Sequence, residues 1–334
     1  MYVSVSPHIR WRKTTKMIMF AVIIALLPAF AGSIYFFGLK SLYLTLIACT
    51  SAQFSEWLCL WVRRKKFVFD GSAILTGILL AFNLPPKSPW WLSAVGSAFA
   101  IIIAKQLFGG LGFNILNPAL AGRAFLMASW PLIMTKEWMT PLRPAGSTMS
   151  GLPQMQISPK YTQIITSATP LKVLKLHSNI PAIAKNLNSW HTIKALFIGN
   201  VGGSLGETSA LLLLIGGLFL IFTKIIDWRI PLGYIGTVFG LTGILYLTGV
   251  TKATPLFHIL SGGLFLGAFF MATDYVTSPV TKKGRWLFAI GCGIITVIIR
   301  LWGGYPEGVC YSILLMNCVT PLLERSTRPR RFGT

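Results

Sequence analysis

Four acidic side chains lie within or beside long apolar runs and are the first candidates for chemistry in this sequence. Glu56 lies inside one run, whereas Asp70, Asp274 and Glu324 lie near the ends of others. Because a charge in lipid is costly, an ionisable residue in such a run normally faces a partner or a water-filled cavity. These acids are therefore candidates for binding a transported cation. For the three near run ends, a solvated position at the membrane surface is the alternative.

Basic and glycine residues form a second group of candidates. Lys105 and Arg123 bracket the glycine-rich stretch 108–114, and a second glycine-rich stretch covers 199–207. The two basic side chains are suited to pairing with an acid or a cofactor phosphate, and snorkelling to the membrane surface is the alternative. Neither stretch matches a Walker A or dinucleotide fingerprint. Backbone amides ahead of a helix can still hold a phosphate or a flavin oxygen, although such glycines more often permit close helix packing.

A segment of small residues, TSATPL at 166–171, displays accessible hydroxyl groups. Lys172 and Lys175 follow it and would favour a phosphate, although the segment by itself is also an ordinary turn rich in serine and threonine. The cysteines and histidines do not indicate a metal site. The five cysteines fall in apolar runs without a CxxC, and the four histidines are scattered without ligand spacing.

The composition indicates that a membrane surrounds these residues. The chain has 334 residues, of which 54% are hydrophobic and only 11% are charged, whereas a soluble domain carries about a quarter charged residues. The formal net charge of +22 is compatible with a nucleic-acid-binding protein. Such proteins, however, cluster their basic residues on a water-facing surface, whereas here the basic residues interrupt long uncharged runs. We therefore expect no nucleic-acid partner and a chain in contact with membrane lipid.

The apolar runs predict an all-α polytopic membrane protein with about ten transmembrane helices, since a spanning helix needs about 20 apolar residues. The predicted spans are 17–38, 41–62, 67–85, 88–107, 112–134, 208–223, 230–250, 253–273, 286–302 and 306–323. The segment 135–194 is too polar to span. It divides the chain into a first membrane part, 1–134, and a second, 195–334.

Basic residues in the short loops predict the orientation, because Lys and Arg remain on the cytoplasmic side. If the N-terminus is cytoplasmic, the cytoplasmic segments carry Arg10, Arg12, Lys13, Lys16, Arg63, Arg64, Lys65, Lys66, Lys224, Arg229, Lys282, Lys283, Arg285, Arg325, Arg328, Arg330 and Arg331. The opposite short connections carry little beyond Lys40, Lys87 and Lys252. Both termini are thus predicted to be cytoplasmic, and 135–194 forms a long external loop.

The two membrane parts contain similar motifs. Residues 69–86 in the third span resemble 261–279 at the eighth, and LFGG with Asn117-Pro118 in the fifth resembles LWGG with Asn317 and Pro321 in the tenth. Both matches are displaced by five spans. Because an odd displacement reverses the direction of crossing, the pattern predicts two inverted five-helix repeats, with sites where the halves meet.

Taken together, these residues resemble the family of the D subunits of Rnf ion-translocating oxidoreductase complexes and, more distantly, the B subunits of sodium-pumping NADH:quinone reductases. The resemblance covers nearly the whole chain. It rests on SPHIR at 6–10, GLGFNILNPALAGRAFL at 110–126, TSATPL at 166–171, GGSLGETSAL at 202–211, GAFFMATDYVTSP at 267–279 and LWGGYPEG at 301–308. The chain length favours the Rnf type.

The resemblance implies a translocase subunit whose FMN is esterified through its phosphate to Thr169 by a separate flavin transferase. The family pattern is Ser-Gly-Ala-Thr, so Ser167 stands where the family has glycine. The resemblance also implies a urea-transporter-like fold with room for a second, non-covalent flavin (riboflavin). The candidate positions for that flavin are the stretches 109–117 and 199–207.

The implied role is electron transfer between ferredoxin and NAD, coupled to cation transport across the bacterial cell inner membrane, with 135–194 in the periplasm. The ferredoxin, NAD and iron–sulfur sites would lie in partner subunits: membrane and iron–sulfur subunits and a second flavin subunit. The quinone-reductase relatives imply Glu56, Asp274 and Glu324 as ion-coupling positions. A flavin-free channel or transporter for a small polar solute and a flavin-free scaffold subunit are the alternative hypotheses.

Overall fold

The computed structural model describes residues 14–136, 138, 141, 170–177, 187–305 and 307–328, and all structural statements below concern these residues. They form helices and no strand. The first part contains α1 (Thr15–Phe37), α2 (Leu39–Val62), α3 (Ser72–Phe82), α4 (Trp90–Phe99, continued by a π-helix, Ala100–Gln106), α5 (Pro118–Ser129) and α6 (Pro131–Lys136). Two helices follow, α7 (Pro170–His177) and α8 (Trp190–Ile198). The second part contains α9 (Ala210–Phe222), α10 (Arg229–Leu247), α11 (Pro255–Leu260), α12 (Leu264–Leu266, continued by a π-helix, Gly267–Met271), α13 (Lys282–Leu301) and α14 (Val309–Ser326).

The surface of these helices is apolar, as expected for a membrane protein. Helices α1, α10 and α13 are long and apolar enough to cross a membrane, and α3 and α9 are shorter apolar helices. Large apolar side chains such as Leu46, Phe54 and Leu247 are exposed on the outside of the molecule. A water-facing surface of this kind would be unfavourable, whereas lipid accommodates it without cost. The chain is an all-helical membrane protein within its described part.

Seven of the ten predicted spans coincide with a helix to within a few residues, and three were predicted too long. Helix α3 covers only 72–82 of the run 67–85, α5 begins only at Pro118 of the run 112–134, and the run 253–273 is broken around Ser261–Gly263. The breaks occur where the backbone requires glycine or a cap. Gly71 and Gly262 adopt left-handed conformations, and the Asn117 side chain accepts hydrogen bonds from the first amides of α5.

The broken helices meet in the interior and satisfy each other's polar groups. The Asn117 side-chain amide donates to the carbonyl oxygen of Met271 at 3.1 Å, which joins the start of α5 to the end of the second π-helix. The backbone amide of Gly206 donates to the carbonyl of Phe82 at the end of α3. Since lipid offers no hydrogen bonds, irregular backbone is stable at membrane depth only where protein groups pair with it. These contacts therefore hold the two parts of the chain together.

Two adjacent glycines bring α9 close to its neighbours. A β-carbon at Gly216 would overlap the carbonyl oxygen of Ala25 in α1, and one at Gly217 would overlap the ring of Phe269 in the second π-helix. Small residues at helix crossings permit such backbone contact in membrane proteins. The packing of α9 between α1 and the broken segment thus depends on the absence of side chains at these positions.

We predict that Gly216→Ala lowers the thermal stability of the purified chain in detergent. The added methyl group forces α9 away from α1, at a cost of about 1–3 kcal/mol. Gly236→Ala in α10 is the matched control, because a β-carbon at Gly236 meets nothing within 4 Å. Unfolding followed by circular dichroism should separate the two variants, and equal melting temperatures would contradict the proposed close contact.

Candidate functional site

A buried cluster of charges lies where α5, the second glycine-rich stretch and the link between α13 and α14 meet. Arg123 of α5 is only 3% exposed, and its guanidinium donates to Glu207 Oε1 at 3.0 Å. The same guanidinium donates to Glu307 Oε2 and to Asn83 Oδ1. Charge-assisted hydrogen bonds of this kind are strong when water is excluded. Arg123 therefore connects four segments that are distant in the sequence.

The local backbone positions the acids of this cluster. Ser204 donates from Oγ to Glu207 Oε2 at 2.9 Å, which fixes the carboxylate within the glycine-rich stretch. A β-carbon at Gly263 would overlap the Glu207 carboxylate, so the glycine leaves room for the acid. Neither Glu207 nor Glu307 was identified from the sequence as a candidate site residue. They could have been found because Arg123 in an apolar helix requires an acidic partner, and both acids lie in glycine-rich motifs.

A second buried ion pair joins Glu56 of α2 to Lys105 in the first π-helix. Lys105 Nζ lies 2.5 Å from Glu56 Oε1 and 2.6 Å from Ser72 Oγ, and Lys105 is 2% exposed. Gln106 also donates from Nε2 to Glu56 Oε1 at 3.1 Å. For both Lys105 and Arg123, the prediction of pairing with an acid is confirmed, and the alternative of snorkelling to the membrane surface is wrong.

The other predicted acids occupy different environments. Asp70 accepts hydrogen bonds from the backbone amide and hydroxyl of Ser72, so it caps the start of α3. Asp274 accepts from the Thr277 hydroxyl at 3.2 Å just after the second π-helix. Glu324 near the end of α14 accepts from the backbone amide of Val280 at 3.1 Å. Glu324 lies outside the cavities described below, whereas Asp274 lines one of them.

A cavity of about 310 Å³ lies next to the Arg123 cluster. It is lined by aromatic, basic and sulfur-containing side chains, which include Met127, Met134, Trp138, Lys172, Lys175, Tyr305 and Tyr311. The rings of Tyr305 and Tyr311 are stacked, with centroids 5.1 Å apart. Lys172 Nζ donates to the carbonyl of Thr135, and Lys175 Nζ donates to the carbonyls of Gly303 and Tyr305. We call this space the aromatic cavity.

The aromatic cavity is lined by side chains of α7, the helix that follows the predicted attachment residue in the sequence. Thr169 itself is outside the described residues, but Pro170 begins α7, and the side chains of Lys172 and Lys175 on α7 line the cavity. Partial burial lowers the pKa of Lys175 from its usual value. Arg123 is paired with Glu207 and Glu307, so Lys172 and Lys175 leave one net positive charge in and beside the lining, which suits an anionic occupant.

A second, smaller space of about 80 Å³ is lined by polar groups from several elements. These include Ser72, Lys105, Asn114, Asn117 and Asp274. We call it the polar cleft. It is separated from the aromatic cavity along α5, because Asn117 lines the cleft and Arg123, six residues or about 9 Å further along the helix, lines the cavity.

The two arginines of the interior differ in their partners. Arg300 of α13 donates from Nε to the carbonyl of Glu307 at 2.9 Å, and from its other nitrogens to the carbonyls of Ser261 and His258. It therefore stabilises the break ahead of α12. Lys105 has the same relation to the break ahead of α3, because it contacts Ser72.

Comparison with known proteins gives extensive similarity. A family model described as the NQR2, RnfD, RnfE family matches residues 2–333. The chain is 50% identical to the D subunit of the Na(+)-translocating ferredoxin:NAD(+) oxidoreductase complex of Acetobacterium woodii, over 99% of this chain and 95% of that protein. It is 46% identical to the D subunit of the proton-translocating ferredoxin:NAD(+) oxidoreductase complex of Clostridium ljungdahlii, over 99% and 96%. It is 43% identical to the D subunit of an ion-translocating oxidoreductase complex of Stutzerimonas stutzeri, over 96% and 93%.

We predict that Arg123→Gln strongly destabilises the chain. Removing the cation leaves Glu207 and Glu307 buried without a counter-charge, which costs about 3–5 kcal/mol in comparable buried pairs. The double variant Arg123→Gln/Glu207→Gln should recover part of that loss, whereas Arg64→Gln at an exposed position should have little effect. Thermal unfolding in detergent measures all three. A melting temperature of Arg123→Gln equal to that of the wild type would show that the cluster does not hold these segments together.

Proposed function

Because the chain belongs to the NQR2, RnfD, RnfE family, we propose that it is the D-type membrane subunit of an ion-translocating ferredoxin:NAD+ oxidoreductase complex. The observation that carries this proposal is the similarity to the D subunits of such complexes over nearly the full length of both chains. One of these relatives is named as sodium-translocating and another as proton-translocating. Experiments on ion coupling must therefore vary both cations.

The electron carrier in this proposal is FMN esterified through its phosphate to the Thr169 hydroxyl by a flavin transferase. The aromatic cavity supports it, because α7, which begins one residue after Thr169, lines a space with flat aromatic surfaces and basic side chains. Tyr305 and Tyr311 are suited to contact an isoalloxazine ring, and Lys172 and Lys175 are suited to hold its phosphate or carbonyl oxygens. The flavin supplies the redox chemistry, and the tether keeps it at high local concentration.

We propose that the polar edge of a second, non-covalent flavin occupies the polar cleft. Asn114 and Asn117 of the first glycine-rich region line it, and their amides are suited to the polar edge of a flavin ring. The second glycine-rich stretch is instead occupied by its contacts with Arg123 and with the end of α3. Of the two stretches predicted from the sequence, 109–117 is therefore the better supported.

The architecture we propose is a pair of inverted five-helix repeats, 1–134 and 195–334, in a urea-transporter-like fold. Its support is that α3 and α12 each follow a left-handed glycine. In each half a basic side chain from the end of the next long helical segment contacts the break, namely Lys105 and Arg300. Both termini are cytoplasmic in this arrangement, and 135–194 carries the flavin on the periplasmic side of the cell inner membrane.

Cation coupling in the proposed function involves the acids near the polar cleft. Asp274 lines the cleft, and Glu56 is bound to Lys105, which also lines it. Glu324 lies elsewhere and pairs with the backbone at Val280, so its support is weaker. The membrane and iron–sulfur subunits and the second flavin subunit of the complex supply the sites for ferredoxin and NAD.

We predict that Thr169→Ala abolishes covalent flavin, because the hydroxyl that forms the phosphoester is removed. The test is flavin fluorescence of the protein band on a denaturing gel after co-expression with the flavin transferase. Thr166→Ala is the matched control and should retain the fluorescence. If the wild-type band carries no flavin under these conditions, the flavin-carrying role is wrong, and the flavin-free transporter or scaffold hypothesis replaces it.

We predict that Glu56→Gln in the assembled complex reduces cation transport more than electron transfer from ferredoxin to NAD. The carboxylate can pair with a cation, whereas the amide cannot. Transport and electron transfer are measured in inverted membrane vesicles and normalised to the amount of assembled complex, with Na+ and pH varied separately. Glu324→Gln is the comparison variant and should have the smaller effect on transport. An unchanged ratio of ions to electrons in Glu56→Gln would remove Glu56 from the coupling site.

A further inference from the structure

Lys105 occupies an unusual position for a lysine. It is almost fully buried, yet its side chain lies at the wall of the polar cleft, which Asp274 also lines. It belongs to the π-helix Ala100–Gln106, and π-helical turns occur frequently at functional sites. A long flexible stem carries the charge, so the ammonium has more freedom to move than a guanidinium held by several carbonyls.

The ammonium donates hydrogen bonds to two side-chain oxygen atoms. Glu56 Oε1 lies 2.5 Å away and Ser72 Oγ lies 2.6 Å away, and the Ser72 hydroxyl donates in turn to Asp70. Gln106 approaches the same carboxylate through Nε2. Its Oε1 is buried and has no hydrogen-bond partner within the described part of the chain. Because the Gln106 nitrogen faces Glu56, the Gln106 oxygen faces this position only when the amide rotates. Carboxylate, hydroxyl and amide oxygens are then the ligands that hard cations use in proteins.

The charges around this position are balanced while Lys105 is present. Glu56 and Asp70 contribute two negative charges, Lys105 contributes one positive charge, and Arg63 contributes another through its hydrogen bond to the carbonyl of Gln106. If the ammonium moves away, Glu56 loses its direct counter-charge. A buried carboxylate without a counter-charge is costly and must take up a cation or a proton.

We propose that Lys105 acts as an internal cation that occupies a monovalent cation site formed by Glu56, Ser72 and Gln106. A Na+-sized ion entering from the polar cleft binds these oxygens only when the ammonium leaves them, and Asp274 in the lining of the same cleft offers the ammonium an alternative partner. Lys105 thereby makes cation binding conditional on its own position. This inference deepens the proposed cation coupling and rests on it for its role in transport.

Arg300, which corresponds to Lys105 in the second half of the chain, has different hydrogen-bond partners, and this difference supports a cation site at Lys105. Arg300 donates to three backbone carbonyls, those of His258 and Ser261 at the break ahead of α12 and that of Glu307 in the link before α14. Its hydrogen bonds in the described structure are made to carbonyls, whereas the closest partner of Lys105 is a carboxylate. Of these two positions, only that of Lys105 therefore combines a displaceable ammonium with an acid, Glu56, that a free cation can neutralise.

The test is cation-dependent thermal stability of the purified full-length chain in detergent. Lys105→Met removes the internal cation and leaves Glu56 free to bind an added one. We expect its melting temperature to rise by a few degrees when Na+ replaces choline at constant ionic strength, because a ligand that binds only the folded state stabilises it. The wild type and Lys87→Met, which changes an exposed lysine, should melt at the same temperature in both salts. The double variant Glu56→Gln/Lys105→Met should also lose the Na+ effect.

Lys105→Gln provides the same test if Lys105→Met does not fold, since its amide can still donate to Glu56 and Ser72. If the melting temperature of the folded variant responds to pH and not to Na+, Glu56 takes up a proton instead, and the proposal is wrong. An equal Na+ response in Lys105→Met and in the double variant would also overturn it, because the ion would then bind elsewhere. These outcomes do not involve flavin or electron transfer, so they are separate from the tests of the proposed function.

Discussion

The constraint on which this structure depends is that every buried charge must be paired or hydrogen-bonded by protein groups, because lipid offers no partners. Arg123 shows its effect most clearly. Its guanidinium joins α5 to Glu207 and Glu307, and the latter lies 184 residues away in the sequence. A buried ion pair contributes little net stability compared with a well-packed apolar pair, but its loss is severe. The cluster therefore specifies which segments meet rather than how tightly the helices pack.

The same constraint governs the broken helices. A helix interrupted at membrane depth leaves backbone groups that lipid cannot satisfy, so the protein must supply partners. Lys105 contacts the break ahead of α3, and Arg300 contacts the break ahead of α12. Once the breaks are stabilised, they leave polar side chains and space in the interior. The polar cleft, which Ser72 and Lys105 line, lies at the first of these breaks, and the aromatic cavity is separated from it along α5.

This arrangement suits a protein that has to connect electron transfer to ion movement. In the proposed function, a flavin tethered at the aromatic cavity would be close enough to the acid-lined cleft for a change of charge in one to affect the other through a low-dielectric interior. The charge cluster at Arg123 borders the aromatic cavity, about 9 Å along α5 from Asn117 in the cleft. Coupling in the proposed function then depends on charges that change partners, and Lys105 is the side chain whose surroundings allow such a change.

The sequence by itself determined that a membrane surrounds this protein, where most of its helices lie and to which family it belongs. Uncharged runs of spanning length require a membrane, and hydropathy locates them without knowledge of their neighbours. Three spans predicted from hydropathy were longer than the helices. The helix boundaries there are set by left-handed glycines, Gly71 and Gly262, and by the cap at Asn117, and these residues do not make the runs less apolar. The pattern identified Glu56 as a buried charge in need of a partner, and it left pairing or snorkelling open for Lys105 and Arg123.

Only the tertiary structure decided which partners they have. Glu56 and Lys105 are 49 residues apart, and the acids of Arg123 belong to two separate glycine-rich motifs, 199–207 and 301–308. A charged residue in an apolar run needs a counter-charge, and the run itself shows this need. Which residue supplies the counter-charge depends on which helices pack together, and that is a property of the whole chain.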